Sequence, residues 1–194
     1  MARAGLSREV VTQVALAIID DTGSRGFEAL TLASVASQVG VSAPSLYKHI
    51  GSLDDLRREV AVASVRGLTG VLQDATIGRA GEDAVVALAQ AIRGFAREHP
   101  GRYAASQRAG NPADPADAEL IAAGARSVDV IAGALRGYQL TPEQNIDAIR
   151  ALRSAIHGFV LLESGGGFGL ARDLDASFDT VTRMLTRSLV ELGG

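Results

Sequence analysis

The stretch TLASVASQVGVSAPSLYKHIGSLDDL runs from Thr31 to Leu56, and its reading decides the fold. Gly40 splits it into two short helical segments. The first runs from Leu32 to Val39 with Thr31 as its cap. The second starts after Ser42, with Pro44 in the first turn, where a missing N–H costs nothing, and ends near Ile50-Gly51. Two short helices about a glycine turn fit a helix-turn-helix. Val35, Ala36 and Val39 then face a core, and Leu46 and Ile50, four apart, anchor the second helix on it. Ala43, Pro44, Ser45, Tyr47, Lys48 and His49 are left toward solvent or a groove. Small residues at the start of such a helix let its N-terminus approach base edges. Tyr47, Lys48 and His49 can donate to phosphates, which sets register without reading sequence. Thr31 and Ser42, at the two helix starts, complete the candidate DNA-facing set. Short helix pairs also occur as ordinary core in all-α domains.

Moving outward, a first helix is expected from Arg8 to Thr22. Ser7 caps it, Glu9 suits its first turn and Gly23 ends it. Val10, Val14 and Ile18 form one stripe, with Val11 beside it. On the other side, Ser52-Leu53-Asp54-Asp55 has capping-box spacing and opens a helix to about Gln73. Gly78 to Gly81 breaks the chain. Helices follow at 83–98, 101–109, 117–135, 142–164 and 175–191. Thr141-Pro142-Glu143-Gln144 is a capping box with Pro at the first helical position. Alternating patterns are absent, so the fold class is all-α. The expected domains are a helix-turn-helix domain at 1–51 and a larger helical regulatory domain at 52–194.

The chain has 194 residues, 47% of them hydrophobic, and no cysteine, which removes disulfides and thiolate metal sites. No apolar run approaches the roughly 20 residues of a membrane span. Met1-Ala2-Arg3-Ala4-Gly5 leads into an amphipathic stretch with no secretory apolar region. A soluble cytoplasmic protein without a membrane partner is expected. Net charge is −3. In residues 1–58, Arg3, Arg8, Arg25, Lys48, Arg57 and Arg58 are balanced by Glu9, Asp20, Asp21, Glu28, Asp54 and Asp55. The case for DNA therefore rests on local placement. Lys48 is the chain's one lysine.

This N-terminal region resembles the tetracycline-repressor (TetR) family of one-component regulators. The resemblance is carried by Phe27, Leu30-Thr31, Val35-Ala36, Gly40-Val41-Ser42, Leu46-Tyr47-Lys48-His49-Ile50 and Leu56. The family commonly bonds phosphate with a lysine at the start of the following helix. That slot holds Leu53 here, and Arg57 and Arg58 are the nearby cations that would compensate. Phe95 to Tyr103 (FAREHPGRY) and His157 to Glu163 (HGFVLLE), followed by Gly166-Gly167-Phe168-Gly169, resemble the C-terminal domain of a subgroup named for a Trp-His-Gly signature. This chain has no tryptophan. The slot one turn before His157 holds Arg153 or Ser154.

Two apolar stripes follow Thr141. Ile149, Leu152, Ile156 and Phe159 have 3-4-3 spacing, and Leu174, Phe178, Val181, Leu185 and Ser188 have 4-3-4-3 spacing. Either stripe suits monomer core or an association surface. The resemblance implies a four-helix bundle between two copies, with Ile149, Leu152, Ile156, Phe178, Val181 and Leu185 in the interface. Phe95, Tyr103, His157 and Phe159 are the candidate lining of an apolar effector pocket. The competing reading has small residues such as Gly158 simply allowing close packing, with His157 in the core. His49, His99 and His157 are scattered, so no metal site is expected, and no cofactor. Gly165 to Gly169 lacks the Gly-Lys-Ser/Thr ending of a phosphate loop. No nucleophile elbow marks an enzyme.

The expected protein is thus a dimeric DNA-binding transcriptional regulator, a repressor released from a palindromic operator by a small molecule. The competing function is a small-molecule-binding helical protein, or an enzyme, whose N-terminal helices are structural.

Overall fold

The computed structural model describes residues 6–194, which form ten α-helices and two 3-10 turns with no strand among them. The fold is all-α. The reading of Met1 to Gly5 lies outside the described residues. By spatial proximity the chain divides into two compact units, 1–67 with 99–123, and 68–98 with 124–194. Residues 6–51 lie wholly in the first.

In the first unit, α1 (Arg8–Thr22) is capped by Ser7, whose Oγ accepts from Val10 N–H. Its buried face is Val11, Ala15, Leu16 and Ile19. Val10, Val14 and Ile18, the stripe read from the sequence, are only half-buried. The apolar arc of the helix is wide, and its centre is offset by one residue. A one-turn helix absent from the sequence reading, α2 (Gly26–Ala29), follows. Then come α3 (Leu32–Val39), α4 (Ala43–Leu46) and the start of α5 (Leu53–Thr76). After α6 (Gly81–Glu98), the chain returns to this unit with α7 (Pro100–Ser106), a 3-10 turn at Pro115–Asp117, and the start of α8 (Ala118–Leu135).

Helix α1 packs on α2, α3 and α7. Val11, Ala15, Ile19, Leu30, Val35, Leu46, Ile50, Leu56 and Ala105 form one core. Two glycines meet at a single point of α1. A Cβ added to Gly26 would lie 2.2 Å from the Ile19 carbonyl oxygen, and one added to Gly101 would lie 2.1 Å from it. Only a residue without a side chain permits either approach. Asp20, next along, accepts from Arg102 N–H at 3.1 Å and lies 3.2 Å from His99 Nδ1.

The second unit holds the end of α5, α6, the rest of α8, α9 (Pro142–Ser164) and α10 (Leu174–Gly193). The Thr141–Gln144 capping box opens α9 as its spacing requires. Helices α6, α9 and α10 pack on one another. They are tied by buried Arg93, whose Nε and Nη2 donate to both oxygens of Glu163 at 2.8 and 2.5 Å, and whose Nη1 meets Asp175 at 2.8 Å. The same guanidinium lies 4.8 Å from the Phe178 ring centroid and 5.5 Å from that of Phe159. Such pairing compensates its removal from water.

Ile149, Leu152, Ile156 and Phe178 are buried within the single chain. At these positions the stripe is covered by the chain itself. An amphipathic stripe demands burial without naming the covering element. Val181 and Leu185 are half-buried. The large exposed apolar side chains of α9 and α10 are Ile146, Leu161, Leu162, Met184, Val190 and Leu192. Among the described residues, no helix is long and apolar enough to cross a membrane.

Candidate nucleic-acid interface

Thr31 opens α3 with a capping box. Its Oγ1 accepts from Ser34 N–H at 3.0 Å, and Ser34 Oγ accepts from Thr31 N–H at 3.3 Å. Gly40 closes the helix in the left-handed region at φ 75°, and Val41 N–H returns to Ala36 O at 3.0 Å. This turn carries the chain into Ser42 and α4. Ser42 Oγ does not cap the backbone; it lies 2.9 Å from Ser45 Oγ.

The second helix is shorter than its sequence implies. Only Ala43–Leu46 is α-helical, and His49 N–H and Ile50 N–H both close on Leu46 O, at 2.8 and 2.9 Å. Ile50 N–H keeps an i→i−4 bond while His49 N–H makes a tighter i→i−3 one, so 47–49 form a turn beyond α4. Leu46 and Ile50 are fully buried anchors. Tyr47 is 57% exposed, Lys48 and Pro44 are exposed, and Ala43, Ser45 and His49 are half-buried. Buried anchors therefore hold a short segment whose polar groups face outward, as a groove-entering element requires.

Arg57 and Arg58, the cations nearest the Leu53 slot, are both engaged within the chain. Arg57 Nη2 donates to the carbonyls of Glu28 and Leu30, at 2.8 and 3.2 Å. Arg58 is enclosed by carboxylates: Asp117 at 2.6 Å, Asp54 and Asp55 at 2.8 Å and Asp114 at 3.3 Å. Arg108 adds a second cation on Asp54 at 2.9 Å. The Asp117 carboxyl is held below the ordinary aspartate range, first by the Asn111 N–H it accepts and then by Arg58. Two of these four aspartates lie nearly sixty residues along the chain from Arg58, beyond any local pattern.

A cleft of about 260 Å³ beside this cluster is lined by Arg8, Asp55, Arg58, Glu59, Val62, Ala116 and Glu119. Its charges are already paired, Arg8 with Glu59 and Glu119 with Arg66. It is unlike the apolar effector pocket the sequence suggests.

The four residues expected to line that pocket are divided. Tyr103 is in the first unit, and Phe95, His157 and Phe159 are in the second. Phe159 is buried against Phe168 and Phe178, with ring centroids 4.8 and 5.0 Å away. Phe95 and Tyr103 are also buried. His157 is half-buried, and desolvation, assisted by Arg153, lowers its pKa. A Cβ on Gly158 would meet nothing within 4 Å, so that glycine is not explained by close packing in the chain.

The capped α3, the Gly40 turn and outward-facing α4 define a helix-turn-helix DNA-binding protein. Residues 22–60 match the family of bacterial regulatory proteins, tetR family, and residues 85–185 match the tetracyclin repressor-like C-terminal domain. The chain is 40% identical to the uncharacterized HTH-type transcriptional regulator Rv0681 of Mycobacterium tuberculosis, over 93% of its own length and 81% of the relative's. It is 30% identical to the uncharacterized HTH-type transcriptional regulator YobS of Bacillus subtilis, over 97% and 95%.

The same fold is seen in a Rhodococcus sp. RHA1 protein of unknown function (TM-score 0.77, 22% identity, 97% of this chain and 98% of that). It is also seen in Streptomyces coelicolor ActR in complex with (S)-DNPA (TM-score 0.67, 18% identity, 98% and 100%). The chain belongs to the tetR family. It is a DNA-binding transcriptional regulator, not an enzyme.

Proposed function

We propose that this chain is a homodimeric cytoplasmic repressor that binds a palindromic operator and leaves it when a small molecule binds the regulatory domain at 52–194. The observation that carries the reading is the outward presentation of Tyr47, Lys48 and His49 by fully buried Leu46 and Ile50. Thr31, Ser42, Tyr47, Lys48 and His49 bond phosphates, and Ala43, Pro44 and Ser45 approach base edges. Two such segments, about 34–36 Å apart, enter successive major grooves on one face of the duplex.

The exposed apolar residues Leu161, Leu162, Met184 and Val190 support pairing through α9 and α10. Effector control is supported by relatives of the fold: ActR is seen in complex with (S)-DNPA, and an Acinetobacter baumannii TetR variant in complex with minocycline. Phe95, His157 and Phe159 are the proposed second-unit contacts. An effector that prefers the form with mismatched recognition segments depletes the operator-competent population.

The test is gel retardation with duplex DNA from upstream of the protein's own gene. A discrete shift that competitor DNA does not abolish is expected. No sequence-preferring complex at low salt would overturn the reading.

A further inference from the structure

Arg57 sits on the second turn of α5, yet its guanidinium is spent on backbone. Nη2 bridges the carbonyls of Glu28 and Leu30, and Nε is buried without a hydrogen-bond partner. The two carbonyls lie in the three residues that lead into Thr31, the cap of α3. Leu30 is 1% exposed and Leu56, one residue before Arg57, is fully buried in the same core. Helix α2 itself has one turn and no side-chain cap.

We infer that Arg57 is a positioning residue for DNA binding, fixing the Glu28–Thr31 backbone so that Thr31 and the α3 N-terminus meet a phosphate in register. The inference rests on the proposed DNA face. Its chemistry is specific to a guanidinium. One nitrogen, Nη2, reaches both carbonyl oxygens, and the planar group holds that nitrogen at a fixed angle, which the freely rotating ammonium of a lysine does not. A carbonyl at a helix end also accepts more strongly from a cation than from water. The guanidinium is aimed at the two carbonyls, so it does not pair directly with a phosphate.

Salt dependence separates these roles. A side chain that bonds phosphate sets part of the slope of affinity against salt, and its removal lowers that slope by about one. A positioning residue lowers affinity without changing that slope. The probe is a duplex enriched by the wild-type protein from random sequence, titrated at several salt concentrations with Arg57→Gln, Arg57→Lys, Thr31→Val and Lys48→Ala. Arg57→Gln is expected to weaken binding about tenfold at every salt concentration, the scale of one charge-assisted hydrogen bond. Arg57→Lys, which keeps one bond to a carbonyl, should recover part of the loss, and Thr31→Val added to Arg57→Gln should cost little more.

A slope reduced by about one in Arg57→Gln would make Arg57 a phosphate ligand and overturn the inference. So would unchanged affinity. If Arg57→Gln does not fold, Arg57→Met, which removes the charge and keeps the apolar stem, decides by the same two readings. Binding that survives both Thr31→Val and Lys48→Ala would instead sink the DNA face itself.

Discussion

Arg58 Nε donates to Asp117 Oδ1 at 2.6 Å, joining the first turns of α5 to the loop that precedes α8. Asp117 is 3% exposed and its pKa is depressed. A depressed folded-state pKa means that the unfolded chain binds the proton first. The contribution to stability is present above the ordinary aspartate range and is lost as pH falls through the folded value. Urea midpoints measured between about pH 5 and pH 2 should fall more steeply for wild type than for Asp117→Asn. Parallel curves would show that the pair does not shape the pH profile.

The glycine pair on Ile19 gives a stability contrast. Gly26→Ala and Gly101→Ala each drive a methyl into the Ile19 carbonyl and should cost about 3 kcal/mol or more. Gly94, exposed inside α6 with nothing near its added Cβ, should gain up to about 1 kcal/mol as Ala. Equal effects at the three sites in thermal denaturation would refute the close approach.

Lys48 is exposed and lies in the turn that leaves α4. Lys48→Ala should weaken binding to all duplexes and reduce the salt slope by about one per protomer. Arg58→Gln, whose charge is already enclosed, should leave the slope as it is. A reversed pattern would move the phosphate-facing surface away from Tyr47-Lys48-His49.

The second unit separates folding from pairing. Leu152 is 2% exposed and Met184 is 64% exposed. Leu152→Arg buries an unpaired charge and should unfold the unit. Met184→Arg should leave helical content intact and yield monomers by light scattering. A Met184→Arg protein that stays dimeric would place the interface off α10.

Tyr138 is 8% exposed, and its hydroxyl is buried without a hydrogen-bond partner. Burial, with Glu82 nearby, pushes its pKa up. Tyr138→Phe removes an unsatisfied group at nearly constant shape and should raise stability by about 1 kcal/mol. A loss of that size would mean that the hydroxyl finds a bridging water in solution.

The bounds of α1 and α3 were legible because their caps are local: Ser7 and Gly23, Thr31 and Gly40. Helix α2 was not, because Gly26-Phe27-Glu28-Ala29 is a single turn with no repeat and no cap. The early end of α4 was hidden because Leu46 and Ile50 keep the four-residue spacing of a helix while 47–49 between them tighten into a turn. The stripes on α9 and α10 were read correctly as apolar, but which element covers Ile156 or Phe178 is a tertiary fact. The Arg57 and Arg58 interactions were likewise out of reach, since most of their partners lie far along the chain.

With one lysine in 194 residues, amine chemistry has a single side-chain address, and that address lies in the middle of the segment proposed to face DNA. An amine-reactive dye, apart from any on the terminal amine, gives one labelled species. Its reporter is shielded when duplex is bound and uncovered when it leaves. The same scarcity blinds lysine-to-lysine cross-linkers to pairing through α9 and α10, so covalent capture of a dimer there needs carboxylate- or arginine-directed reagents.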